Sequence, residues 1–253
     1  MLQDVVLFLV GILVGGMNSI AGGGILLGFP VMLAAGLPAL SANITSNLVV
    51  LPGQIGAIIG YRKYLRKVPR KYLLLLIPCF VGAIIGALIL QFSGPANFER
   101  LVPGLILFAV LLFAYQPFLH HQLHRHIHRK TKSRQTLFLI ALATLPLAVY
   151  GGYFGAGFGF IMLAFLGFTK MHDIHQMNGL KNLAGLVIAG ASLACLYSTH
   201  LINWHIGAVM AAGNLIGGYY GAVLAQKISS HVIRILVIVI GLVTTMYLFI
   251  HTH

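Results

Sequence analysis

Of 253 residues, 59% are hydrophobic and only 8% charged, with 16 Lys+Arg against 3 Asp+Glu, where an ordinary soluble domain carries about 25% charged residues. So few charges exclude a water-soluble surface. The apolar background turns the +13 excess from a nucleic-acid signal into one of membrane orientation. A span needs about 20 apolar residues, and the chain reads as an all-α polytopic membrane protein with eight main hydrophobic segments.

In chain order, an apolar stretch at 4–20 has no basic leader before it and reads as part of the mature fold. It meets a glycine-rich break, NSIAGGG at 18–24, followed by a short apolar stretch at 25–36. Longer segments follow at 39–61, 72–91 and 100–116. A basic, His-rich linker at 117–134 leads to the stretch 135–150, the break GGYFGAGFG at 151–159, and a short stretch at 160–168. Segments at 174–198, 204–226 and 231–250 complete the chain. Cys79 and Cys195 lie inside apolar segments and read as small core residues. Trp204, at a helix start, reads as an interface anchor.

A shift of 135 positions lays the second half on the first. Gly16, Gly22 and Gly24 fall on Gly151, Gly157 and Gly159; Asn43 and Asn47 on Asn178 and Asn182; Gly82 and Gly86 on Gly217 and Gly221. The register holds without a gap from about 16 to 90, so residues 1–116 and 135–253 form two structural repeats. The stretches flanking each glycine break fall short of the ~30 Å hydrocarbon core at 1.5 Å per residue. Each pair is either one broken span or a re-entrant hairpin.

Charge position favours the hairpin. Eleven of the sixteen cations sit in YRKYLRKVPRK (Arg62, Lys63, Arg66, Lys67, Arg70, Lys71) and in the linker (Arg125, Arg129, Lys130, Lys132, Arg134). The positive-inside rule places both segments in the cytoplasm. Lys170 and Lys227 then face the cytoplasm, and the uncharged turn STHLIN at 198–203 faces out. Residues 135–168 must therefore leave and return on one side, and residues 4–36 do so from the other. The expectation is an inverted-topology repeat, each copy a Gly-rich re-entrant hairpin plus three spans, with both termini outside. Counting 4–36 and 135–168 as single spans gives the alternative, eight crossings and a parallel repeat.

Unwound backbone at membrane depth requires protein or a water-filled cavity to satisfy it, so the two hairpin tips should meet there. The helix starts after Gly22, Gly23 and Gly24 and after Gly157 and Gly159 present N–H groups suited to an anion. Asn18 and Ser19 add donors. Asn43 and Asn47 share a helix face beside Thr45 and Ser46, and Asn178, Lys181 and Asn182 share one in the second copy, with His175 a turn earlier. An ionisable residue inside a span is a functional candidate, and snorkelling to the headgroups is its competitor. Asp4, Glu99 and Asp173 all fall at segment ends, so a carboxylate proton relay is disfavoured. The common catalytic motifs are absent, and no enzyme, cofactor or metal is expected. The linker histidines (His120, His121, His124, His126, His128) read as a pH-sensitive basic loop before a metal site. Arg62–Lys71 reads as an orientation signal in contact with anionic lipids.

The string GGMNSIAGGGILLGFPVMLAAGLPALSANITSNLVV resembles the glycine-rich hairpin and following motif of the TauE/SafE sulfite exporter family. NGLKNLAGLVIAG and INWHIGAVMAAGNLIGGYYGAVLAQKIS are similar to that family's second half. The resemblance covers nearly the whole chain and implies a transporter of small sulfur-containing anions (sulfite, sulfonates, related organic acids) in the bacterial inner membrane. Tyr153, Phe154, Phe158 and Phe160 depart from a plain glycine run, which narrows the cavity or favours an organic substituent. The lead expectation is a secondary transporter or facilitator exporting such an anion, held by the residues above at the two tips. Transport of another small solute, with Lys181 outside the site, is the alternative, and a membrane-embedded metal-binding or enzymatic protein is a further one. A homodimer is compatible with this plan.

Overall fold

The computed structural model describes residues 2–20, 22–126, 133–169, 171, 173–225 and 246, with the backbone alone at 112–126 and 133–136. The linker histidine side chains, Lys170, Lys227 and, apart from residue 246, the segment expected at 231–250 lie outside the described residues. The helices are α1 (Leu2–Ile20), α2 (Ile25–Ala34), α3 (Ala39–Gly60), α4 (Arg62–Leu65), α5 (Leu76–His126), α6 (Ser133–Tyr153), α7 (Phe158–Gly167), α8 (Ile174–Leu196) and α9 (Trp204–Leu224). Short 3₁₀ turns at Arg70–Leu75 and Tyr197–Thr199 complete the described elements. Among the described residues, five stretches are long and apolar enough to cross a membrane: Leu2–Ile20, Ala39–Gly60, Arg70–Leu111, Ile174–Thr199 and Trp204–Leu224. The third is two arms. Segments expected apart at 72–91 and 100–116 run together as α5, interrupted by Gly94 (φ 71°, ψ 164°) just before Pro95.

Local chemistry marks the starts of three helices. Asp173 accepts the His175 N–H and Asn203 the Ile206 N–H, capping α8 and α9. Gly157, at φ 82°, takes the left-handed conformation that starts α7 after the break. Along α5, Ile77, Phe80, Leu88 and Phe92 are exposed; in a membrane these face acyl chains, not water.

Glycine seams decide which helices touch, as small residues do where lipid removes the hydrophobic drive to associate. On α1, Gly11 lies against Met210 and Gly15 against Asn214; on α9, Gly217 lies against Ile12. Gly56 and Gly60 of α3 meet Tyr219 and Ala222 of α9. Rising numbers match rising numbers, so α1, α3 and α9 run parallel. The first arm of α5 pairs with α6 in the same way, Gly82 against Leu145 and Ala148, Gly86 against Val149 and Tyr153. α8 packs on both α5 and α3. Against α3 it is antiparallel, with Gly179 at Leu65 and Tyr61, Gly185 at Gln54, and Gly190 at Leu51. The 135-residue shift turns α1, α3 and the first arm of α5 into α6, α8 and α9. Each trio therefore takes one helix from the other half of the chain.

The ends of each helical pair fix their direction. Asp4 meets His205 at 2.9 Å, and Ser41 donates to the Leu201 carbonyl at 2.6 Å. Both ends of 4–36 thus lie beside the 198–205 turn, and α1–α2 folds as a hairpin. At the opposite end, α6 packs on the 3₁₀ turn Arg70–Leu75, and the His175 ring at the start of α8 sits 4.8 Å from Tyr64. The α6–α7 hairpin opens there. The two breaks meet: a Cβ on Gly22 would lie 2.6 Å from Gly159 Cα.

A candidate anion site between the hairpins

Where the breaks meet, a cavity opens between the two hairpins, α3 and α8. Its polar wall comprises Asn18, Asn47, Gln54 and Lys181; its apolar wall includes Ile25, Val50, Phe158 and Ile188. The space open to the centre of a water-sized sphere is about 40 Å³. One water needs roughly 10–15 Å³ by that measure, so the cavity has room for more than one water, or for a small ion.

Lys181 is 2% exposed, seven positions past the start of α8. Its Nζ donates to the Asn18 carbonyl at 2.8 Å and the Ser19 carbonyl at 3.1 Å. These carbonyls are orphaned where α1 ends, and they carry the negative end of its dipole. An ammonium has three donors, so two hold the hairpin and the third remains for the cavity. Snorkelling is not what the geometry shows: the side chain is fastened to main chain within the protein. No carboxylate approaches it. The three acids lie elsewhere, Asp173 as the α8 cap, Asp4 beside His205, and Glu99 exposed on α5.

Asn18 is oriented by its neighbours. Its Oδ1 accepts the Gly24 N–H at 2.8 Å, and its Nδ2 has no hydrogen-bond partner among the described residues. A buried, unsatisfied donor on the same cavity wall as the ammonium is chemically suited to an acceptor oxygen. Gln54, 8% exposed, likewise leaves its Oε1 unpartnered. Sequence reasoning missed Gln54 because its counterpart in the second repeat is Ala189. Its spacing of seven from Asn47, two turns along one face, was the available signal.

The other anticipated residues divide by role. Gly22 and Gly159 line the cavity with Asn18, Asn47 and Lys181. Ser19 contributes through its carbonyl, which also accepts from Asn182 Nδ2 at 3.3 Å and Tyr61 Oη at 3.5 Å, while its hydroxyl donates to the Gly16 carbonyl. Asn182 donates as well to the Asn178 carbonyl at 2.9 Å. Asn43 Nδ2 donates to the Tyr153 carbonyl at 2.8 Å, and Ser46 to the Asn43 carbonyl. Thr45 turns away and accepts the Asn203 N–H at 3.0 Å, tying α3 to the turn before α9. Gly23, Gly24, Gly157 and Asn178 shape the tips and the face behind them without lining the cavity.

Beyond the tips, Tyr153 and Phe154 of the second break form a cluster with the first hairpin and α5. Phe154 lies 5.7 Å from Phe29 and 6.4 Å from Phe98, and Tyr153 lies 5.9 Å from Phe98. Asn43 reaches this end of the hairpin pair. Tyr61, Tyr64 and His175 form a second aromatic group, beside Ser19 and the basic segment.

Comparison with known proteins places this architecture. The family model described as sulfite exporter TauE/SafE matches residues 7–248. A probable membrane transporter protein of Haemophilus influenzae is 30% identical over 248 residues, covering 95% of this chain and 92% of the relative. The probable membrane transporter protein YfcA of Escherichia coli K12 is 29% identical, covering 98% and 90%. ORF9 of Sinorhizobium sp, also described as a probable membrane transporter protein, is 27% identical, covering 93% and 88%. No solved structure matches the chain. A multi-pass helical chain of this kind is a membrane transporter and not an enzyme, and it belongs to the sulfite exporter TauE/SafE family.

Proposed function

We propose that the protein exports a small sulfur-containing anion (sulfite, a sulfonate or a related organic acid) across the bacterial inner membrane by alternating access. The observation that carries this reading is Lys181, a cation 2% exposed, facing a cavity between the two hairpins of a protein whose three carboxylates all sit elsewhere. The third N–H of Lys181 and the unpartnered Nδ2 of Asn18 supply charge-assisted and neutral donors to an oxyanion. Gln54 and Asn47 complete the polar wall, and Ile25, Val50, Phe158 and Ile188 offer an organic substituent an apolar surface. Ser19, Gly22, Gly23, Gly24, Asn43, Ser46, Gly157, Gly159, Asn178 and Asn182 set the tips that frame it.

The two trios support an inverted repeat. They run antiparallel, and the two hairpins open toward opposite ends, as expected when a pseudo-two-fold axis lies in the membrane plane. Arg62, Lys63, Arg66, Lys67, Arg70 and Lys71 are all exposed at one end. That end is the cytoplasmic one by the positive-inside rule, against anionic headgroups. The inside-negative potential drives an anion outward at about 2.3 kcal/mol per charge per 100 mV, so export needs no carboxylate relay.

A second reading has an observation in its favour. Two of three Lys181 donors are spent on main chain, which suits a purely structural tie and transport of a different solute. A thermal-shift panel of sulfite, sulfate, short alkylsulfonates and matching carboxylates on purified protein separates the two. Stabilisation by sulfur oxyanions that disappears in Asn18→Ala supports the anion site. A flat response across the panel overturns it.

A further inference from the structure

The repeat relation sets two sites side by side, and only one holds a cation. At the first hairpin, α1 ends in the carbonyls of Asn18 and Ser19, and the ammonium of Lys181 occupies them. The 135-residue shift carries Asn18 to Tyr153, Asn178 to Asn43, Asn182 to Asn47 and Lys181 to Ser46. One hydrogen bond within the helix recurs. Asn182 Nδ2 donates to the Asn178 carbonyl at 2.9 Å, and Asn47 Nδ2 donates to the Asn43 carbonyl at 3.4 Å. The α8 side chains reach the end of α1, and Asn43 of α3 reaches the end of α6 at the Tyr153 carbonyl. What is missing at the second hairpin is the positive charge.

We propose that the end of α6, together with Asn43 and Ser46 of α3, binds a sodium-sized monovalent cation in the position that the Lys181 ammonium fills at the first hairpin. Three features argue for it. Asn43 is 1% exposed, and its Oδ1 has no partner among the described residues. That oxygen is held beside the Tyr153 carbonyl by the Nδ2 of the same amide. Ser46, 3% exposed, stands at the repeat position of Lys181 and carries a hydroxyl oxygen, which donates to the Asn43 carbonyl at 2.6 Å. The main chain that ends α6 presents the negative end of a helix dipole, and half-helix C-terminal ends with unwound carbonyls are a recurring location for such ions in transporters. Neutral oxygens alone select the charge. A divalent ion without a carboxylate pays too large a desolvation penalty, and no acid lies in α3, α6 or the break between α6 and α7. The cation ties the second hairpin to α3 as Lys181 ties the first to α8.

The test is thermal unfolding of the full-length protein in matched concentrations of sodium, lithium, potassium and choline chloride, with no anionic substrate present. Sodium and lithium should raise Tm by several degrees over choline, and potassium by less. Asn43→Ala and Ser46→Ala should each flatten that difference. Ser46→Lys supplies the ammonium in place of the ion and should melt in choline as the parent does in sodium, without further response to salt. A parent protein whose Tm is equal in all four salts overturns the proposal, as does a sodium response that survives both alanine variants. The readout involves no anion, so its failure leaves the export reading untouched, and failure of that reading leaves this one standing.

Discussion

A Cβ added to Gly217 of α9 would run into the main chain of Ile12 on α1, 2.7 Å from its carbonyl carbon and 2.8 Å from its Cα. Backbone cannot rotate aside as a side chain does, so Gly217→Ala forces α1 and α9 apart. Overpacking of this kind costs about 1–3 kcal/mol. Gly82 is its counterpart in the other trio, where an added Cβ would lie 2.7 Å from the Leu145 carbonyl oxygen and 3.0 Å from the Val149 nitrogen of α6. Gly82→Ala should therefore cost a similar amount. Gly104 supplies the control, a helical glycine with no atom within 4 Å of the added Cβ, where Ala should gain about 0.5–1 kcal/mol. For a chain of this size 1 kcal/mol moves Tm by roughly 2–4 °C. Melting curves of detergent-purified protein should show both seam variants lowered by about 2–12 °C and Gly104→Ala level or raised. If all three melted together, the α1–α9 and α5–α6 contacts would not exist as described.

Topology is tested by single cysteines in whole cells labelled with a membrane-impermeant maleimide. Gln3→Cys should label from outside with His200→Cys, and Lys63→Cys only after permeabilisation; positions 3 and 63 behaving alike would restore the single-span alternative. Gln54→Ala should raise the KM for anion flux severalfold with Tm nearly unchanged, because the amide oxygen of this side chain has no partner among the described residues; an unaltered KM would remove Gln54 from the site. Asn18→Ala strips the acceptor from the buried Gly24 N–H, a loss of about 1–3 kcal/mol, and removes a cavity donor. It should lower both Tm and transport, and loss of neither would contradict its dual placement.

Hydropathy and the 135-residue shift made the helices, the two breaks and their pairing legible, because a glycine run inside an apolar stretch has few other uses. Partner choice was not legible. That α9 packs on α1 and the first arm of α5 on α6 depends on glycines meeting main chain across repeats, and spacing along one helix does not specify the opposite surface. The Asn178–Lys181–Asn182 face was readable from its period, whereas its target was not: Lys181 and Asn182 grip carbonyls, and a carbonyl leaves no mark in a sequence. Ser19 drew notice for a hydroxyl that bonds within its own helix, while its carbonyl takes the cross-repeat contacts. Gln54 went unread because the repeat, so useful elsewhere, has Ala189 in its place.

The central claim is that Lys181 holds the transported anion. Its most direct test is counterflow of radiolabelled sulfite, and of a short alkylsulfonate, in proteoliposomes containing the parent protein, Lys181→Met or Lys181→Arg, each matched for folded protein by size exclusion. Methionine keeps the length of the side chain and removes the charge and all three donors. Saturable uptake is expected in the parent, none in Lys181→Met, and partial uptake with raised KM in Lys181→Arg. Saturable anion uptake in a folded Lys181→Met protein at the parent's rate and KM would contradict it.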